Sequence, residues 1–210
     1  MYTLYYSPGS ASMVVHLALI ELDVPHELRV VDLDARQHKA ADYLKLNPNG
    51  VVPTLIVDGE PVYECAALLM LLAERHAQAG FAPAPGAPSR ARYLQWMLHL
   101  ANTLQPAFRQ WFYPADAGPV ERTAEIKDLA RQRIEAAWDR LAAELERSGP
   151  YLLGADYGVV DMLAVMLMRW SRNMPRPATD WPTLAAYAAR IKARPAWRRL
   201  YEREGLTEWA

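Results

Sequence analysis

Every strand-like run in this 210-residue chain lies before Glu64, and from Ser89 onward no convincing strand appears. A chain patterned in this way builds a small α/β layer first and an all-helical part after it. Residues 2 to 6 are aromatic and β-prone, and Ser7-Pro8-Gly9-Ser10 stops that first strand. From Ala11 to Leu22 the residues Met13, Val14, Leu17, Ala18 and Leu22 recur at helical spacing, and Asp23 to Pro25 ends the run. His26 to Leu33 predicts a second strand with Leu28, Val30 and Leu33 on its apolar face, although Val31 interrupts the alternation. A short helix around Lys39 to Leu46 stops at Asn47-Pro48-Asn49-Gly50, since proline disfavours helix in the residue before it. Thr54–Val57 and Pro61–Tyr63 flank Asp58-Gly59-Glu60, a hairpin signal, and Glu64 to Ala79 reads as a third helix.

The order β-α-β-α-β-β-α therefore occupies residues 1–80 as a first domain. Residues 81–88, rich in Pro, Ala and Gly, read as a semi-rigid linker, and residues 89–210 as a helical domain. Its helical runs fall at about 89–113, 120–147, 159–174, 183–193 and 195–203. With 52% apolar residues the chain can bury a sizeable core. Its 23 Lys plus Arg against 24 Asp plus Glu leave no field to recruit nucleic acid or an acidic membrane surface, so neither is an expected partner. The first residues carry no basic segment followed by an apolar run, which predicts a cytoplasmic protein. Cys65 is the only cysteine, so no intrachain disulfide and no cysteine-rich metal site is expected, and no metal is assigned.

The densest motif runs from Asn47 to Leu55. A proline after a turn and just before a strand adopts cis geometry at low cost, and a cis Val52-Pro53 bond would turn the N–H and C=O of Val52 away from the sheet. NPNGVVPTL, then DG, then VYECAALL, resembles the glutathione-binding half of the soluble glutathione transferases in order and approximate spacing. That resemblance implies an α/β thioredoxin-like N-terminal domain plus an all-α C-terminal domain, the glutathione transferase fold, and a homodimer. It implies that Val52 and Pro53 hold the cysteinyl unit of glutathione by β-augmentation. The γ-glutamyl carboxylate would meet the amides at the start of the third helix, with Glu64 facing the ligand's ammonium. Cys65 stands where the family has Ser or Thr, and a thiol is a weaker donor, so lower affinity for glutathione is expected. Taken without the family, Glu64 is a first-turn acid and Cys65 a small apolar residue.

A glutathione transferase must stabilise a thiolate. YYSPGSASMVVHLAL resembles the serine-using branch, which puts the active hydroxyl at Ser10. It also resembles the bacterial β-type pattern YYxxGACSxxxHI. Aligned on Gly9 and His16, that pattern's Cys falls on Ala11 and its next Ser on Ser12. The candidates are thus Ser10, Ser12 and Tyr6; both serines also suit helix capping, Tyr6 suits the core, and His16 reads as a packed histidine. A cysteine mechanism would need Cys65. Glutathione enters as co-substrate and no other cofactor is implied.

In the helical part, Gly158 and Asp161 are spaced as a capping box and Tyr157 and Met162 as its hydrophobic staple, a structural feature that the family shares. Trp111, Phe112 and Tyr113 end a long helix and are the candidates for an apolar electrophile pocket. Arg169, charged in an apolar helix, must pair with an acid or face a cleft. The expected activity is conjugation of the glutathione thiolate to apolar electrophiles, a detoxification chemistry. Glutathione-dependent disulfide or peroxide reduction, or glutathione binding without turnover, are the alternatives.

Overall fold

In the computed structural model, which describes residues 1–209, strand β1 (Tyr2–Tyr6) occupies an interior position of a four-stranded sheet. Leu4 and Tyr6, two residues apart, share one buried face of it. Helix α1 (Met13–Glu21) carries the chain over to β2 (His26–Val30), which pairs parallel with β1 from Tyr2 opposite His26 to Tyr6 opposite Val30. A parallel pair needs such a crossover. The short α2 (Ala41–Leu46) leads to β3 (Thr54–Val57), antiparallel on the other side of β1, and β4 (Glu60–Tyr63) folds back on it. Asp58 and Gly59 turn that hairpin at φ 54° and 89°, the positive values a two-residue hairpin requires. The strand order β2-β1-β3-β4 with helices between is the thioredoxin-like layer expected.

Three boundaries differ from the sequence reading, each for a local reason. β2 ends at Val30, which is 62% exposed, while Val31 is buried and donates its N–H to Tyr6 C=O at 2.7 Å. The chain leaves the sheet edge there, so the apolar face expected at Leu28, Val30 and Leu33 does not form as one row. Helix α1 begins at Met13 because Ala11 and Ser12 belong to the turns that follow β1. Helix α3 (Cys65–Arg75) stops four residues before Ala79, whose stretch is a separate 3₁₀ turn at Ala77–Ala79.

Contacts divide the described chain into two units, residues 1–82 with 192–209, and residues 83–191. Helix α9 (Pro195–Glu204) thus groups with the sheet, although the sequence reading carries it with the preceding helices. Its Trp197, Leu200 and Tyr201 are buried, and Arg194 just before it grips Glu21 of α1 at 2.6 and 2.9 Å. Helix α1 itself is buried from Met13 to Ile20 with no polar face, so it has protein on every side.

The second unit is helical throughout its regular structure. Helices α4 (Arg90–His99) and α5 (Gln105–Phe112) are joined without a break by a π turn at Leu100–Leu104. Pro106 lacks an N–H and crowds the carbonyl four residues back, and widening the ladder just upstream accommodates it. The single helix expected over 89–113 is therefore two helices with a π turn between them. Helices α6 (Thr123–Ser148), α7 (Val159–Trp170) and α8 (Pro182–Lys192) surround a core of Tyr93, Phe108, Trp138, Leu163, Leu167 and Tyr187. Among the described residues no helix is long and apolar enough to cross a membrane.

Asp161 organises the start of α7. Fully buried, its Oδ2 accepts the N–H of Gly158 at 2.8 Å, and its Oδ1 accepts Leu152 N–H at 3.0 Å and Tyr187 O–H at 2.8 Å. Only this half of a capping box exists, because Gly158 has no side chain to answer it. Tyr157 and Met162, the expected staple pair, are both buried. Removing the carboxylate strands three donors, so Asp161→Ala should cost roughly 3–5 kcal/mol, read as a fall in Tm of about 6–20 °C. Burial pushes the Asp161 carboxyl up to about 6 in spite of its donors. An unfolded aspartate titrates near 3.9, so the folded state binds the proton more tightly and this group's contribution to stability falls as pH rises from about 4 to 6. Urea unfolding of Asp161→Asn should lack that slope.

Candidate functional site

The turn before β3 is held from three sides. Tyr43 on α2 donates its O–H to the carbonyl of Val51 at 2.7 Å, and Asn47 donates from Nδ2 to the same oxygen at 2.8 Å. Lys39 reaches the carbonyls of Gly50 and Asn49 at 2.8 and 3.3 Å. Gly50 sits at φ +56°, and a Cβ there would come within 2.9 Å of the His38 carbonyl, so glycine alone fits. Val52 packs with Val31 and Tyr43 in a small apolar cluster. The Val52-Pro53 bond is cis, and the backbone N–H and C=O of Val52 bond to no other described residue. A strand-like peptide can pair with them. Tyr43 and Lys39 went unmarked in the sequence reading, where Asn47 stood only as the start of the turn; the one available signal for the first two was their closeness along the chain to Asn47-Pro48-Asn49-Gly50.

At the start of α3 the first intrahelical bond runs from Leu68 N–H to Glu64 C=O at 2.9 Å, so the amides before it project from the helix end. Glu64 caps the helix with its backbone at φ 80°, ψ 112° and its side chain exposed. A non-glycine residue held in that region costs on the order of 1–3 kcal/mol, and such residues cluster where ligands bind. Cys65 is buried at 4% exposure, and its thiol donates to the carbonyl of Ala11 at 3.4 Å. Helix α3's first turn and the loop carrying the serines are therefore neighbours.

That loop, between Tyr6 and Met13, folds on its own hydroxyls. Ser10 Oγ donates to Ser7 C=O at 2.7 Å and lies 2.8 Å from Ser12 Oγ. Ser12 Oγ reaches the same Ser7 carbonyl at 3.1 Å and accepts the Ser7 N–H at 3.1 Å. Neither serine caps α1 through its side chain: Ser12 occupies the cap position, but its oxygen serves Ser7 instead. Ser12 is wholly buried, whereas Ser10 is half-buried. Tyr6 is buried on the sheet, and burial together with the negative charge of Glu204 pushes its phenol up, away from ionisation. His16 is buried as expected of a packed histidine, with its ring beside that of Tyr6 at 5.8 Å.

In the second unit the three aromatic candidates do not form one surface. Phe112, exposed, stacks on Phe108 at 6.0 Å, and Trp170 meets both edge-on at 6.3 and 5.7 Å. Tyr113, also exposed, lies under the guanidinium of Arg109 at 4.3 Å. Trp111 faces Lys127 at 5.4 Å. Trp170 joins the Phe112 cluster without having been singled out in the sequence, where it reads as the last apolar residue of α7. Arg169 beside it is buried rather than lining a cleft. A separate groove of about 430 Å³ between α4 and α6 is lined by Gln95, Trp96, His99 and Arg140 and contains none of the predicted site residues. Among the described residues no group of His, Cys, Asp and Glu is arranged to hold a metal ion.

Residues 4–80 match the family model for the glutathione S-transferase N-terminal domain. Over 207 residues the chain is 30% identical to glutathione S-transferase GST-4.5 of Xanthomonas campestris pv. campestris, covering 97% of this chain and 98% of that one. Among solved structures, BphK, a bacterial GST in a ternary complex, superimposes with a TM-score of 0.87 at 33% identity, covering 97% of this chain and all of that one. A sphingomonad glutathione S-transferase complexed with glutathione gives 0.85 at 31% identity, over 98% of this chain and 100% of that one.

The turn's geometry sets a prediction that needs no ligand. Tyr43→Phe removes the hydroxyl that donates to Val51 C=O and accepts from Thr54 Oγ1, 2.9 Å away. A loss of roughly 1–2 kcal/mol follows, and amide exchange along β3 should quicken while that of α6 does not change.

Proposed function

Because the chain belongs to the glutathione S-transferase family, we propose that it joins the thiolate of glutathione to apolar electrophiles, with Ser10 as the thiolate-stabilising donor. The observation that carries this reading is the pair of hydroxyls on one acceptor. Ser10 Oγ donates to Ser7 C=O, and Ser12 Oγ lies within reach of the same oxygen. When Ser10 swings its proton to a sulfur anion, Ser12 keeps the carbonyl satisfied, so the exchange leaves no buried acceptor bare.

The cysteinyl unit of glutathione pairs antiparallel with the N–H and C=O of Val52, beside Pro53. Its γ-glutamyl carboxylate takes the amides at the start of α3, and its ammonium takes Glu64. The Cys65 thiol, committed to Ala11 C=O, gives that carboxylate little, in line with weaker binding than a serine would confer. A free thiol titrates near 8.5 and is about 3% ionised at pH 7. One hydrogen bond to an anion contributes roughly 1.5–3 kcal/mol, which lowers that pKa by about one to two units. A single hydroxyl is therefore enough to make the thiolate abundant. The thiolate then attacks the electrophilic carbon, a C–S bond forms and the leaving group departs with its electron pair. The electrophile's apolar body is assigned to Phe112, and we add Trp170 on the strength of its contact with Phe112, while Trp111 and Tyr113 turn to Lys127 and Arg109 instead.

Glutathione-dependent reduction is the second reading in the same class. It would draw on Cys65 as its protein thiol, and that sulfur is buried. Family usage further supports a cytoplasmic homodimer with glutathione as its only co-substrate, serving detoxification; sedimentation of the purified protein at two concentrations tests the dimer.

Conjugation of glutathione to chlorodinitrobenzene should fall by about 10- to 100-fold in kcat in Ser10→Ala, with glutathione KM within threefold of the wild type. Turnover equal to the wild type would remove Ser10 from the mechanism. Phe112→Ala should raise KM for the aromatic electrophile by about 5- to 20-fold, the worth of one apolar contact, and leave KM for glutathione alone.

A further inference from the structure

The loop that carries Ser10 is held within itself mainly by the hydroxyls of Ser10 and Ser12. Between the last residue of β1 and the first of α1, its internal backbone bonds are Ser10 N–H to Ser7 C=O at 3.2 Å and Met13 N–H to Ser10 C=O at 3.1 Å. Gly9, at φ +68°, turns the chain immediately before Ser10. Its N–H points away from those bonds to a carboxylate 195 positions along the chain: Glu204 Oε2 accepts it at 2.8 Å.

The other oxygen of Glu204 is also committed. Oε1 lies 2.8 Å from Nδ1 of His16 on α1, and both side chains are completely buried. A buried carboxylate is tolerated where strong donors meet its oxygens, and here each oxygen has one. His16 is fixed in turn by rings on two sides, Tyr6 at 5.8 Å and His26 at 5.7 Å. His26 donates from Nδ1 to Val24 C=O at 2.8 Å and accepts at Nε2 from Arg203 at 3.1 Å, a pairing that suits the neutral ring, and burial lowers its pKa in the same direction.

Helix α9 is seated independently of the loop it touches. Arg194 anchors its start on Glu21, and Trp197, Leu200 and Tyr201 bury its apolar face. The tail beyond Gly205 folds back so that Tyr201 O–H reaches the carbonyls of Glu208 and Trp209 at 3.2 Å each, and Trp209 meets Trp197 edge-on at 6.0 Å under the ammonium of Lys192. The last residue of a well-anchored helix thus delivers a carboxylate to the amide of Gly9, directly before Ser10 in the serine loop.

We propose that Glu204 is a positioning residue for the glutathione thiolate site: by holding Gly9 N–H and His16 together it sets the place of the Ser10 hydroxyl. This rests on the transferase reading of Ser10. Positioning and charge have opposite signs here. A nearby negative charge by itself raises a thiol's pKa, so removing it lowers that pKa, whereas misplacing the Ser10 donor raises it.

The test uses the full chain with Glu204→Gln, Glu204→Met and Arg194→Ala. The readouts are Tm, the pKa of the thiol in the glutathione complex from the pH dependence of thiolate ultraviolet absorbance, and kcat with chlorodinitrobenzene. Glutamine can still accept from Gly9 N–H, and its amide donates to His16 Nδ1 once the imidazole carries its proton on Nε2, so Glu204→Gln should keep the bound-thiol pKa within about 0.3 unit. Methionine accepts from neither group, and Glu204→Met should raise that pKa by about one unit and lower kcat roughly tenfold. Arg194→Ala, which loosens the seat of α9 and leaves Glu204 in place, should move both in the same direction by a smaller amount, and it supplies the answer where the methionine variant does not fold. A bound-thiol pKa that stays at the wild-type value in both Glu204→Met and Arg194→Ala, with only Tm lowered, overturns the proposal, as does a fall in that pKa in Glu204→Gln. Wild-type protein that binds no glutathione by calorimetry overturns the transferase reading and this one with it. Wild type that binds and turns over, beside an unaltered methionine variant, removes Glu204 alone.

Discussion

An N–H and a C=O that sit beside a sheet without partners cost free energy unless water or a ligand takes them. The first unit is arranged around leaving one such pair at Val52. Everything that would pull Val52 into the sheet is absorbed by its neighbours. Tyr43 and Asn47 claim the carbonyl of Val51, Lys39 claims that of Gly50, and pairing with β1 begins only at Thr54, opposite Tyr5. The apolar contacts of Val52 with Val31 and Tyr43 keep its side chain inward while its backbone stays open.

Much of the first unit was legible because its signals are local. The Asp58-Gly59 hairpin, the break at Asn47 to Gly50 and the strand at residues 2 to 6 each rest on a handful of adjacent residues whose backbone preferences agree. What escaped depends on residues far apart in sequence. Nothing in the periodicity of α9 says that its Glu204 meets Gly9, or that Arg194 meets Glu21. Val30 and Val31 exchange roles because the chain departs from the sheet edge, a tertiary event that alternation cannot anticipate. The π turn before Pro106 had a sequence cause, yet a proline in a helical run more often predicts a kink or an end than a widened turn.

Two buried carboxylates illustrate how the same chemistry is put to different ends. Asp161 gathers donors from the start of its own helix and from Leu152 and Tyr187, all within the second unit, and what it determines is where α7 begins. Glu204 gathers one donor from a loop and one from a neighbouring helix, both brought together only by folding. The first is readable as a spacing of three residues. The second has no spacing to read, and with Arg203 beside it in sequence it looks like any charged residue that ends an amphipathic helix.

The position of Cys65 decides between hydroxyl and thiol chemistry more than the absence of a cysteine at position 11 does. Its sulfur lies at 3.4 Å from the carbonyl of Ala11, so a thiol is present beside the loop, one residue from Ser10. Reactivity, however, belongs to the thiolate, and the Cys65 sulfur is buried with its S–H directed at a carbonyl. The Ser10 hydroxyl, by contrast, is half-exposed and shares its acceptor with a second donor that can hold it alone. A group that donates to an anion must be able to turn without leaving a buried polar atom unserved, and this condition underlies the proposal for Ser10.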